Sequence, residues 1–190
     1  MVAQADATIL YSNTARDRYA ARGVPSNKLF VARNCVDFAS IEKSSRWWTE
    51  SRLEEFRRES GLEEGPVILH VGRIAENKRL DVLLEAASLV PSTRGNLKVV
   101  VIGEGSHRDD LQRLVKERNL ADRIIFPGAI TEEQKLAPWF LCSDVVVAPG
   151  QIGLLAIHAA AYGRPLVTSD NPVMHGPEVE IFLPGATGLT

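Results

Sequence analysis

Cysteine is scarce in this chain. Cys35 and Cys142 stand alone, with no Cys-x-x-Cys and no Cys/His cluster. That excludes a disulfide framework and a zinc finger, and reads as reduced thiols of a cytosolic protein. The four histidines, at 70, 107, 158 and 175, form no His-Glu-x-x-His and no other ligand spacing. No Asp-x-Asp pair is present to hold a divalent ion on a diphosphate, so no metal ligand and no cofactor are assigned. No apolar run reaches the ~18 residues of a membrane span. The opening MVAQADATIL lacks a basic stretch and is not a signal peptide. An excess of one charge is missing too: 22 Lys and Arg against 24 Asp and Glu leave a net charge of -2. No broad basic field therefore argues for nucleic acid or an anionic membrane as partner. Internal repeats and low-complexity segments are absent.

What is present is ordinary globular composition, 45% hydrophobic and 24% charged, over 190 residues, enough for one or two domains. Residues 7–11 read as a short strand, followed by a helix over about 14–22 that Ser12 or Asn13 caps and Gly23 ends. Pro25 leads to a second short strand, 28–32. Residues 38–65 are rich in charge and serine and read as a linker with one lead-in helix. Ser51-x-x-Glu54 has the form of a capping box for that helix, with Leu53 and Phe56 on one face. Trp47 and Trp48 are expected to plug a seam or pack beneath the helix, with a partner contact as the other reading.

From residue 67 onward strands and helices alternate. Strands are expected at 67–71, 97–102, 123–127, 144–148, 165–168 and, weakly, 180–183, with helices at 78–89, 107–118, 132–141 and 153–162. Continuous Val/Ile runs joined by short links mean strands buried on both faces. The expected fold is α/β, a doubly wound parallel sheet of Rossmann type. Right-handed crossovers place the loops at 72–78, 103–106, 128–131, 149–153 and 169–177 on one rim.

The stretch VILHVGRIAENKRL, 67–80, carries the chemistry. Gly72 ends a buried strand, and Arg73 and Lys78 follow in one turn before a helix. Two cations at the carboxyl end of a parallel strand suit a phosphate. Gly103-Glu104-Gly105 permits close backbone approach, but Arg108 stands where GxGxxG would need its last glycine, which speaks against a dinucleotide dehydrogenase. Gly150 and Gly153 remove side chains before the next helix, whose amides can meet phosphate or sugar oxygens. His158 interrupts that otherwise apolar helix.

These segments resemble the carboxyl-terminal half of the GT-B-fold retaining glycosyltransferases of the glycogen-synthase-like and mannosyltransferase-like group. ADATILYSN…RGVPSNKLFVARNCVD is similar to that family's ADxxIxxS…GVPxxKIxVIPNGVD, and VGRIAENKRLDVLLEA to its VGR-x4-K-G-x-x-x-L-x-A. VVVIGEGSHRDDLQRL, LADRIIFPGAI, SDVVVAPG, GLLAIHAAAYGRPLVTSD and GATGL follow in family order. The resemblance implies that Arg73 and Lys78 hold the donor diphosphate and stabilise its departure, beside Gly72. It implies that Gly103, Glu104, Gly105 and Phe126–Gly128 line the nucleotide, and that the amides of Gln151, Ile152, Gly153 and Leu154 face the donor. The family carries two glutamates eight residues apart; Gly150 and His158 occupy those positions here, and Arg79 replaces the glycine after the lysine. At 158 a neutral imidazole can hold a ribose or sugar hydroxyl; the other reading is a core histidine met by a nearby carbonyl.

The function so implied is transfer of a sugar from a nucleotide-diphosphate sugar to a glycan or lipid-linked acceptor. Residues 1–37 then read as a strand-helix-strand remnant of a preceding acceptor domain, 38–66 as the linker, and 67–190 as the donor domain, cut short at its end. Such a fragment is expected to bind donor and transfer nothing. The expected setting is cytoplasmic, with peripheral association at the inner membrane face allowed. The alternative is a non-catalytic nucleotide or phosphosugar binding module.

Overall fold

Val67–Val71, Lys98–Ile102, Ile124–Gly128 and Val145–Ala148 are strands built largely from β-branched residues, which suit a surface packed on both sides. The computed structural model describes residues 4–91, 95–171, 174–181 and 188–189. In chain order the elements begin with β1 (Thr8–Leu10), α1 (Asn13–Ala21), β2 (Leu29–Val31), α2 (Phe38–Trp47) and α3 (Glu50–Glu59). They continue with β3 (Val67–Val71), α4 (Leu80–Leu89), β4 (Lys98–Ile102), α5 (Arg108–Glu117), β5 (Ile124–Gly128) and α6 (Glu133–Cys142). The last are β6 (Val145–Ala148), α7 (Leu155–Ala161), β7 (Leu166–Thr168) and β8 (Gly188–Leu189).

Six strands form one sheet in the order β5-β4-β3-β6-β7-β8, and every pair is parallel. The order reverses between β3 and β6, as in a doubly wound fold. Each face carries its own core. Leu80, Leu83, Leu84 and Ala87 of α4 and Leu111 and Val115 of α5 pack with Val99 and Val101. On the other face Ile41 of α2, Leu136 and Phe140 of α6, and Ala156 and Ala159 of α7 pack with Leu69, Val100 and Val146.

The segment read as a linker is two helices, both seated on α6. Its serine content concealed α2, whose Ile41 and Ser44 are buried and whose N-terminus is capped by Asp37, accepting from the Ser40 amide at 3.1 Å. The capping box is not used: α3 starts one residue before Ser51, with Thr49 at its N-cap. The paired tryptophans fix these helices in place. Trp48 Nε1 donates to the Gln134 carbonyl at 2.8 Å, and edge-on contacts run from Trp48 to Phe56 to Trp139. Trp47 stays half-exposed under the Arg52 guanidinium.

β1 and β2 form a separate two-stranded parallel sheet with Ile9 and Phe30 exposed. It is clasped to the larger sheet by a 3-10 turn, Pro177–Ile181. That turn replaces the expected strand over 180–183, of which 182 and 183 lie outside the described residues. Glu180 accepts from the Asn13 amide at 3.0 Å and the Thr14 amide and hydroxyl at 2.7 Å. Burial raises its carboxyl pKa, but the Thr14 and Asn13 bonds and the Arg33 charge together hold it below the usual range. Glu178 accepts from Asn34 beside it.

Two three-residue strands with open faces have few buried contacts to protect them. Hydrogen exchange is expected to be faster across 8–31 than across β4, and Glu180→Ala to widen that gap. Equal protection in the two regions would show that β1 and β2 are held by more than this clasp.

Candidate functional site

Three loops meet at the carboxyl end of the sheet, over the crevice between β3 and β6. The loop after β3 is gripped from both sides by backbone hydrogen bonds. Gly72 N donates to Ile102 O and Ile74 N to Glu104 O, each at 2.9 Å. On the other side Gly150 N donates to Lys78 O at 3.1 Å and Gln151 N to Asn77 O at 3.0 Å. The approach is too close for side chains. A Cβ on Gly103 would lie 1.8 Å from Gly72 O, on Gly105 2.0 Å from Ile74 O, and on Gly150 2.2 Å from Asn77 O. These glycines are needed to lock the loops together.

Two hollows open beside the locked loop. One, of about 480 Å³, lies over the crevice between Gly72, Arg73, Lys78, Gln151, Leu154 and His158. The other, of about 290 Å³, lies between the loops after β3, β4 and β5, against Gly72, Gly103, Glu104 and Ile130. Arg73 borders both, is exposed, and pairs with no acidic side chain among the described residues. Lys78 is half-buried rather than exposed, because its Nζ folds down to donate to Gln151 O at 2.7 Å. Burial lowers its pKa below the usual lysine value; the Glu178 charge opposes this and Arg73 adds to it. The negative charge of a phosphate brought to this pair would offset the repulsion and favour the charged form of Lys78.

The remaining predicted residues fall in distinct places. Glu104 forms an ion pair with Arg108, whose guanidinium lies 5.9 Å from the Phe126 ring centre, and a Cβ on Gly128 would come 3.4 Å from Glu104 Oε1. These four make one wall outside the crevice. The amides before α7 are not all free. Those of Gly150 and Gln151 are engaged as above, and Ile152 N donates to His175 Nδ1 at 3.3 Å. Gly153 and Leu154 amides meet no acceptor among the described residues. Only this pair of the predicted set can therefore face a ligand.

His158 is not set in wholly apolar surroundings. Its ring stacks on Phe140, and Nε2 lies 3.2 Å from the Glu133 carboxylate of α6. Tyr162 donates to the same carboxylate, and burial with that hydrogen bond pushes the Tyr162 hydroxyl pKa upward. A carboxylate from another helix, not a carbonyl, meets the imidazole. Only Nδ1 remains for a ligand.

Sequence reasoning left His70 without a role. It is 2% exposed, with Nδ1 2.8 Å from Val147 O, and it borders the larger hollow. The available signal was a histidine inside a buried strand two residues before a glycine. Burial first, partly offset by the Val147 bond, lowers its pKa to about 4. The unfolded chain takes up a proton below about pH 6.5, while the folded one resists until about 4. This contribution to stability is thus present above pH 6.5 and lost as pH falls toward 4, by about 3 kcal/mol. His70→Asn, which can still donate to Val147 but does not titrate, is expected to flatten the urea-stability profile over that window.

Arg79 stands where the resemblance implies a glycine. It adopts a left-handed conformation, φ 51° and ψ 39°, between the Glu76–Lys78 3-10 turn and α4, where glycine would be unstrained. Arg79→Gly is expected to raise stability by roughly 0.5–1 kcal/mol, strain relief less the glycine entropy. An unchanged or lower melting temperature would mean the Arg79–Asp81 ion pair outweighs the strain.

Comparison with known proteins follows this geometry. The chain is 33% identical over 181 residues to a D-inositol 3-phosphate glycosyltransferase of Thermomonospora curvata, covering 87% of this chain and 42% of that protein. It is 27% identical over 173 residues to the alpha-D-kanosaminyltransferase of Streptomyces kanamyceticus, covering 89% and 44%. The chain thus spans less than half the length of these relatives. HepE of Anabaena, solved with UDP, superposes with a TM-score of 0.77 at 18% identity, over 97% of this chain and 49% of HepE, a likeness of fold. That fold is the doubly wound, Rossmann-like sheet of a GT-B domain. Residues 52–189 match the family described as glycosyl transferases group 1, and the chain belongs to that family.

Proposed function

We propose that this chain is the donor-binding half of a retaining glycosyltransferase, which moves a sugar from a nucleoside-diphosphate sugar to a glycan or lipid-linked acceptor. The observation that carries the reading is Arg73, unpaired among the described residues, beside the half-buried Lys78 over the β3–β6 crevice, with the Gly153 and Leu154 amides that meet no described acceptor. HepE has been solved with UDP and with UDP-glucose, and the same chemistry suits these hollows. When the bond from the anomeric carbon to the diphosphate oxygen breaks, negative charge grows on the leaving group. Arg73 and Lys78 are placed to stabilise that charge. The nucleotide would lie toward the Glu104, Phe126 and Gly128 wall.

The acceptor belongs to a preceding domain on this reading. The exposed face of β1 and β2, with Ile9 and Phe30 side by side, suits packing against a further layer. We place the enzyme in the cytoplasm, meeting lipid-linked acceptors at the inner membrane face. No described helix is long and apolar enough to cross a membrane.

Titration calorimetry with UDP and GDP tests the reading. Binding is expected to persist with chelator present, since the cations that meet the diphosphate are side chains; loss on chelation would overturn metal-independent binding. Arg73→Ala is expected to weaken binding by roughly 1.5–3 kcal/mol with an unchanged melting temperature, the range for hydrogen bonds to charged groups. Lys78→Ala should weaken binding similarly and also lower the melting temperature, because its bond to Gln151 O is lost.

A further inference from the structure

The larger hollow is supplied at its mouth with donors: the Arg73 guanidinium, the Lys78 ammonium and two free amides. Donors suit phosphate oxygens, which carry no hydrogen to give. His70 differs in kind. The Val147 carbonyl can only accept, so His70 Nδ1 holds the proton and donates to it at 2.8 Å. In the neutral ring Nε2 is then a bare lone pair. Burial favours that neutral form. Nε2 is shut away from bulk water and no described group donates to it. A buried acceptor without a donor is unfavourable unless something else meets it. Gly72 lies directly beside it: a Cβ there would stand 3.5 Å from Nε2 and within 4 Å of nothing else outside its chain neighbours. Glycine therefore puts no side chain between the imidazole and the hollow.

We infer that His70 is a specificity-determining residue of this site, whose Nε2 accepts a hydrogen bond from a hydroxyl of the bound nucleotide sugar beside Gly72. The inference rests on reading the hollow as the donor site. A phosphate oxygen would repel the lone pair, so His70 sorts the hydroxyl-bearing part of the donor from the charged part. The hydroxyl comes either from the ribose or from the sugar to be transferred.

The test uses wild type and His70→Asn, with pyrophosphate, UDP, UDP-glucose, GDP and GDP-mannose as ligands and thermal unfolding as control. Asparagine keeps a donor for Val147 O and removes the acceptor at Nε2. Pyrophosphate affinity is expected to hold, while nucleotide-sugar affinity falls by about 3–10-fold, the size of one hydrogen bond. A loss already present with UDP or GDP assigns the ribose hydroxyl; a loss confined to the nucleotide sugar assigns the transferred sugar. Equal affinity of wild type and variant for every ligand overturns the inference, as does an equal loss for all, pyrophosphate included. Where the variant does not fold, nitrogen-15 NMR of histidine-labelled wild type decides. The His70 Nε2 resonance is expected to move with nucleotide sugar and not with pyrophosphate, and an unmoved resonance overturns the inference. Wild type that binds no nucleotide at all would instead remove the donor-site reading, and this inference with it.

Discussion

The site depends on backbone meeting backbone. The loop after β3 is held because the carbonyls of Gly72, Ile74 and Asn77 lie almost against the Cα atoms of Gly103, Gly105 and Gly150. Four amide-to-carbonyl bonds close the contact from the two sides. This grip fixes where Arg73 and Lys78 stand, and the Lys78 side chain adds its own bond to Gln151 O. A cation on a free loop would need its backbone ordered by the ligand; here the loop backbone is held beforehand.

The same grip gives a reason for one departure from the family. At 150, where the resemblance implies a glutamate, any side chain would strike the Asn77 carbonyl 2.2 Å away. The glycine and the close-set loop therefore belong together. At 158, Glu133 of α6 reaches the imidazole and also the hydroxyl of Tyr162, so an acidic group stands behind the histidine that borders the crevice.

Away from the site, two devices join the outer elements to the sheet. The aromatic series Trp48, Phe56 and Trp139 fastens α2 and α3 to α6, which in turn carries Glu133. Glu180 fastens the N-terminus of α1, where free amides favour an anionic partner. Both work through polar or aromatic groups separated by more than eighty residues in sequence.

The doubly wound sheet is legible in short stretches of residues. Runs such as Lys98–Ile102 and Val145–Ala148 state a buried strand within their own few residues, and the helices between them show their apolar stripe in the same way. The sequence also brought Arg73 and Lys78 to the rim, because strand ends and loop positions follow from the alternation. Tertiary structure decided what those residues meet. No local pattern could reveal that Lys78 bends to Gln151, that Ile152 gives its amide to His175, or that Glu133 faces His158. Nor could it reveal α2 beneath its serines, or that His70 has one nitrogen bound and the other bare. Propensity and periodicity act over a few residues; hydrogen-bond partners are assigned only when distant strands and helices are packed side by side.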